Sequence, residues 1–478
     1  MSSSSSQADN TYDSVIELAL QLVPRDANFT LSTIINCLHD DIVDVYNGDE
    51  FDNYRRSWIR RVFSFCRSKG TDLPNSQKAN WDKISATIID RLVSGVISTT
   101  SSSSSNSIST DDAVPVKHKL TNQDKQKIKN MYIGLDKTKM WKLSTGKVVE
   151  EEMMKLAISK DHEHLCHSLI MDVRDRCWND YFSPAEMEEI KSYKALQLPV
   201  LPSNVTTYME ELLNTPRDQL YTKVNEVTFA PNTHEYWIQD SYNNAIRLVQ
   251  SGFFPLRDVT EQGMGRRMWS CVDKCFDFAA VRCVTREKCS KASTDAANSV
   301  RSPSDCSRQQ TGRKMDYLFK IKESDIEISC GECALVGGVN TRKEFRDAGF
   351  KMPKVMKDML GKIVSTSPGV LHRLHISGLF IAAETLTLYL LDSPQGYVTR
   401  YDAFNSVSYP VTEAMIRSKM PALLTMILSS RIMMENVKII IDEDESLPIL
   451  GRFMPVVMEP CFAPVRVNCK KGKAVVLL

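Results

Sequence analysis

Two short apolar runs, Met315–Lys322 and Ile326–Leu335, are separated by only three polar residues, Glu323–Asp325. That spacing constrains the chain more than any other feature, because two strand-length runs so close in sequence predict a hairpin. Helical and strand-like patterns alternate around them. Helical spacing covers Glu261–Phe276, and a basic amphipathic helix is predicted over Thr341–Val364, kinked or broken at Pro353. Strands are predicted at Leu371–Ile381, Leu386–Leu391 and Val398–Tyr401, the last two joined at the turn Asp392–Gly396. A helix over Thr412–Ser429 and a strand over Val437–Ile441 follow. This order predicts an α/β or α+β domain over residues 255–478, with a central mixed sheet flanked by helices and a polar insert at 287–310.

The 478 residues leave room for further domains upstream. Residues 1–10 read as a disordered Ser-rich tail, and residues 11–97 as a small helical domain built on Tyr12–Val23, Thr30–Leu38, Tyr54–Arg67 and Trp81–Val93. A Ser/Thr tract at 98–116 holds too little apolar surface to offset its ordering entropy and reads as a linker. Residues 117–254 are mainly helical. Thr121 with Asp124, and Ser183-Pro184-Ala185-Glu186, are helix-start signals. Lys155–Arg176 reads as a helix, Met209–Leu213 as a short one after a break carrying Pro199 and Pro202, and Asn232–Ser251 as a longer one.

Sixty Lys and Arg against 59 Asp and Glu leave a net charge of +1, so any nucleic-acid contact must rest on local patches. Thirteen cysteines, an odd and irregularly spaced set, read as reduced thiols. The N-terminus lacks a basic and apolar leader pattern, and no window reaches the roughly 20 apolar residues of a membrane span. An intracellular protein, nuclear or cytoplasmic and not secreted, is expected.

The hairpin carries the chemistry. Asp316 lies near the start of one run, and Glu327 and Glu332 lie on the other. Carboxylates converging at a sheet edge are what a hard cation such as Mg²⁺ or Mn²⁺ needs, and such an ion activates water at a phosphodiester. The arrangement resembles the core of the restriction-endonuclease-like, or PD-(D/E)XK, nuclease superfamily, in which an Asp on one strand is followed by Glu-x-Lys on the next. The resemblance covers roughly residues 255–445. It implies that Asp316 and Glu332 hold the metal, with Glu327 as the other candidate, and that Glu261 assists from the preceding helix. The Lys position is filled by Ala334 after Glu332, or Ser329 after Glu327, so the lysine would come from the next helix, where Lys343 is nearest. Arg266, Arg267, Arg313 and Lys314 flank the carboxylates and would contact DNA or RNA phosphates, with the basic helix extending that surface. Separately, the stretches Lys139–Met153 and His167–Asp172 and the hairpin are similar to multi-copy protein families of mucoralean-type fungi, a likeness that implies no particular activity.

Other clusters carry less. Cys330 and Cys333 have half a zinc-knuckle spacing, but residues three apart on a strand face opposite ways unless Gly331 forms a bulge. In Asp161–His167, His164 and His167 would be helical neighbours able to share a metal, against the plainer reading of a polar surface. Arg55, Arg56, Arg60 and Arg61 beside Tyr54 and Trp58 read as a solvated basic face, with phosphate contact as the alternative. No P-loop, dinucleotide fingerprint or nucleophile elbow is present. Two functions stay open: a Mg²⁺-dependent nuclease-like phosphodiesterase, and a non-catalytic interaction or nucleic-acid-binding protein with a degenerate fold of that kind.

Overall fold

The computed structural model describes Ile16, residues 30–44, 46, 51–69, 81, 84–88, 119–256, 260–299, 309–334, 347–445 and 457–464. The chain forms two compact units, residues 1–113 and 114–478. The expected tail and linker lie outside the described residues.

The first unit is helical, as its periodicity requires. Helices α1 (Leu31–Cys37), α2 (His39–Asp44) and α3 (Phe51–Ser68) surround a core that includes Ile34, Ile35, Tyr54, Trp58, Val62 and Ile84. Thr30 and Thr33 form a reciprocal cap at the start of α1. Tyr54 and Trp58 bury themselves while Arg56 and Arg60 stay exposed, so α3 is a core helix with a basic outer face.

The second unit begins with α4 (Asn122–Ile133), capped by Thr121 and Asp124, and α5 (Val149–Ser159). The predicted helix over Lys155–Arg176 is not there. The chain leaves α5, makes a 3-10 turn at Leu165–Ser168, and enters strand β1 (Ile170–Asp172). Leu169 takes a left-handed conformation (φ 52°), and its carbonyl accepts from Thr399 N at 2.9 Å. Pairing with a distant strand overrides the local helical pattern here. Helix α6 (Pro184–Ser192) starts at the predicted Ser183–Glu186 box, α7 (Ser203–Asn214) starts directly after Pro202, and α8 spans His234–Gln250.

Helix α9 (Glu261–Arg267) precedes a run of three antiparallel strands: β2 (Val281–Cys289), β3 (Lys314–Ile321) and β4 (Glu327–Ala334). The expected hairpin is β3–β4. Strand β2 and helix α10 (Lys291–Ser299) occupy the stretch read as a helix-to-insert transition. β2 escapes pattern reading because it is an outer strand that carries Arg282 and Lys288, and an outer strand is blunted by such charges.

A π-turn (Asp347–Lys351) leads into α11 (Met352–Thr366), with Pro353 in its first turn, where a missing N–H does no harm. Pro353 therefore begins this helix rather than kinking it. Helix α11 is the crossover that lets β5 (His375–Ala382) run parallel to β4. Strands β6 (Thr385–Asp392), β7 (Thr399–Ala403) and β8 (Val407–Ser408) complete a mixed sheet in the order β1-β7-β6-β5-β4-β3-β2, with β8 beside β6. The turn between β6 and β7 contains Gly396 at φ 60°.

Helix α12 (Glu413–Glu445) ends the domain and runs unbroken through Pro421. The predicted strand Val437–Ile441 is part of it. Val437 and Ile441 are buried one turn apart while Ile439 is exposed, so a short apolar run that suits either structure resolves as one helix face. No helix among the described residues is long and apolar enough to cross a membrane.

Strands β4 and β5 are buried along their whole length. Helices cover both faces: Gly378 of β5 faces Met352 and Met356 of α11, and His375, on the opposite pleat, faces Met433 of α12. A side chain at Gly378 would meet Met352 Cε at 2.7 Å and Met356 Sδ at 3.0 Å. Gly378→Val should push α11 off the sheet and cost about 1–3 kcal/mol, read as a lower urea midpoint; an unchanged midpoint would mean that the two methionines simply swing aside.

Candidate metal centre

Asp316 lies on β3 and Glu332 on β4. The register pairs Tyr317 with Gly331, and one further step sets Asp316 opposite Glu332. Directly opposed residues share a face of the sheet, with Cβ atoms about 5 Å apart. Asp316 Oδ2 accepts from Cys333 N at 2.8 Å, which ties this carboxylate to the neighbouring strand. Gly331 holds the pair close: a Cβ there would meet Leu379 O at 3.0 Å and Tyr317 Cβ at 3.2 Å.

Glu332 is only 2% exposed. Lys351 Nζ lies 2.7 Å from its Oε1. This ion pair is the contact that the buried Oε1 makes. Asp347, 1% exposed, adds a third carboxylate. Burial, opposed by Lys351 and reinforced by the charges of Asp316 and Asp347, pushes the Glu332 carboxyl up to about 8.

The π-turn supplies both Asp347 and Lys351, and a widened turn of this kind often marks a functional site. Tyr401, fully buried on β7, anchors the turn by donating its hydroxyl to Ala348 O at 2.7 Å. Tyr401 stacks on Tyr389, ring centres 5.2 Å apart, and the Arg174 guanidinium lies 4.9 Å from the Tyr389 ring centre. Arg174 also makes a two-pronged contact with Asp172 at 2.9 and 2.7 Å. A partly exposed guanidinium thus stands on the aromatic patch that supports the carboxylate cluster.

The structure thus gathers Asp316, Glu332, Asp347 and Lys351. A lysine on this face comes from the segment after β4, eight residues beyond Lys343. Lys343 itself lies outside the described residues, as does the side chain of Glu261.

Glu327 is elsewhere. It accepts from Ser290 Oγ (2.7 Å), Lys291 N (2.8 Å) and Ala292 N (3.0 Å), capping α10, and Lys320 lies 3.4 Å away. At about 3.3 Å per residue it stands about 16 Å along β4 from Glu332, too far to share one cation.

Among the expected phosphate contacts, Arg313 is engaged by Asp358 and Ser293, both at 3.2 Å. Lys314 is exposed beside Glu287, Arg267 lies over the Phe253 ring at 4.3 Å, and Arg266 is exposed. The basic helix is not a solvated surface. Lys354 and Lys357 are buried, bound to Glu163 and to the Ser168 carbonyl, because α11 is enclosed between the sheet and the residues 163–168 turn.

Cys330 and Cys333 lie on a regular part of β4. The register shift falls at Ile328 instead of Gly331, so the pair does not converge. All described cysteines are free thiols.

A hard divalent cation takes oxygen ligands of this kind, but Asp316, Glu332 and Asp347 do not form a set whose ligand atoms all lie within 4.8 Å of one another. The sequence expects Lys351 only as part of the basic helix's phosphate surface, and it gives no sign of Asp347 or Arg174, because nothing in their spacing relates them to the hairpin. Comparison with protein-family models, with curated proteins and with solved structures finds no match to this chain.

Proposed function

We propose that the second unit is a divalent-cation-dependent phosphodiesterase acting on nucleic acid, with a restriction-endonuclease-like core. The observation that carries this reading is the convergence of Asp316 and Glu332 from adjacent strands with Lys351 from the following turn. Asp316, Glu332 and Asp347 would hold Mg²⁺ or Mn²⁺, which supplies an activated water and charge for the phosphodiester. Lys351 would leave Glu332 for the scissile phosphate, a point charge with a flexible reach. Arg174, on its tyrosine platform, would grip the substrate backbone nearby.

A second reading, a non-catalytic binding protein, is favoured by one observation: the Lys351–Glu332 ion pair partly neutralises the cluster by itself. The two separate in one assay. Full-length protein with Mn²⁺ should cut DNA or RNA oligonucleotides, fail in EDTA, and lose about 100-fold or more of its rate in Asp316→Asn. No cutting of any substrate, or equal cutting by the variant, would reject the catalytic reading.

A further inference from the structure

We propose that His164, Asp175 and Cys177 form a second metal site, for a borderline transition-metal ion of the zinc class. The site is built from the two turns that flank β1. His164 caps the 3-10 turn before the strand, and Asp175 caps the turn Arg176–Asp180 after it. One nitrogen, one carboxylate oxygen and one sulfur from these residues all lie within 4.8 Å of one another. Tetrahedral zinc, with ligand bonds of about 2.0–2.3 Å, needs ligand atoms about 3.3–3.8 Å apart, so the His164–Asp175 pair, 2.9 Å apart, opens slightly and the sulfur closes by up to about an ångström.

The ligands are held in place before any ion arrives. Asp175 Oδ1 accepts from Cys177 N at 2.9 Å, and Oδ2 lies 2.9 Å from His164 Nε2. The other ring nitrogen, Nδ1, accepts from Cys166 N at 3.2 Å and lies 3.0 Å from Cys166 Sγ, and these contacts fix the plane of the imidazole. On binding, the cation takes Nε2, the ring proton moves to Nδ1, where Cys166 Sγ at 3.0 Å accepts it, and the Cys177 thiol proton leaves to solvent. Lys160 Nζ lies 3.1 Å from Cys177 Sγ.

The donor set decides the ion. Mixed N, O and S ligation suits zinc and its neighbours and is poor for Mg²⁺, so this site and the carboxylate cluster would select different metals. Three protein ligands leave a fourth position open, and His164, Asp175 and Cys177 are each partly exposed. His167 takes no part: its ring is buried, its Nδ1 accepts from His164 N, and its Nε2 faces Ala157 O.

Cobalt(II) titration of the full-length protein tests the assignment. A thiolate-to-cobalt charge-transfer band with tetrahedral visible bands is expected, displaced by zinc. Cys177→Ser should abolish the band, His164→Gln should weaken cobalt binding about 10-fold or more, and both Cys289→Ser (an exposed thiol elsewhere) and Asp316→Asn should leave it unchanged. No band, or a band that survives Cys177→Ser, overturns the proposal. If Cys177→Ser does not fold, alkylation of the wild-type chain decides: zinc should shield Cys177 from iodoacetamide, and an unshielded Cys177 overturns the site.

Discussion

Arg400→Ala should remove about 3–5 kcal/mol of folding stability. Arg400 and its partner Asp392 sit directly across from one another on β7 and β6, 5% and 6% exposed. The guanidinium forks onto the carboxylate, with Nε to Oδ1 at 3.0 Å and Nη2 to Oδ2 at 2.5 Å. Its Nη1 donates to three carbonyls, Ile190 (2.8 Å), Lys191 (3.0 Å) and Tyr193 (2.8 Å), at the C-terminal end of α6. Those carbonyls have lost their helical partners, and the end of the helix dipole favours a cation. One residue thus joins the helical layer to the sheet. Removing it strands a buried carboxylate and several carbonyls, and most of the cost comes from leaving that carboxylate charged, desolvated and unpaired. Urea unfolding checks this. Arg400→Lys should recover only part of the loss, since a point charge cannot fork. Replacing both partners, as in Arg400→Met with Asp392→Leu, should destabilise less than Arg400→Ala alone. A loss below about 1 kcal/mol in Arg400→Ala would contradict the account.

The second large effect is a dependence of stability on pH that Glu332 should impose. Its carboxyl is pushed from an ordinary value of 4.5 up to about 8, chiefly by burial. Between those values the folded chain keeps a proton that the unfolded chain has released. Stability from this residue is therefore complete below about 4.5 and falls as pH rises toward 8, by up to about 1.4 kcal/mol per pH unit. Above that range Glu332 is ionised in both states and the decline stops. Glu332→Gln mimics the protonated form, so it should flatten this component and exceed the wild type at pH 8.5 by about 2–4 kcal/mol. Mn²⁺ at pH 8.5 should raise the melting temperature of the wild type, because it takes the place of the missing proton, and should do much less for Glu332→Gln. Thermal melts from pH 5 to 9 read both. A variant with the wild-type slope would show that Glu332 is not the group responsible.

Local chemistry made much of the fold legible. The caps at Thr121 and Ser183, the spacing of β3 and β4, and the turn before β7 act through neighbours in sequence. Their signals need no knowledge of the rest of the chain. The failures share one cause. Strand β1 exists because β7 offers it a partner, β2 because β3 does, and the end of α12 stays helical because its apolar side meets the core. In each case a distant contact chose between two locally acceptable structures.

The candidate sites divide along the same line. The sequence alone determined that Asp316 and Glu332 stand on neighbouring strands, since a three-residue link and a two-residue pleat leave few alternatives. It also showed that no lysine follows Glu332 at the spacing of the resembled family. Only the tertiary structure decided what surrounds that pair. The crossover to a parallel β5 brings Asp347 and Lys351 down onto the sheet, Tyr401 anchors their turn from two strands beyond, and β1 draws His164 toward Asp175 and Cys177. A crossover joins residues by where a chain returns, and that is set by burial of apolar faces across the whole domain.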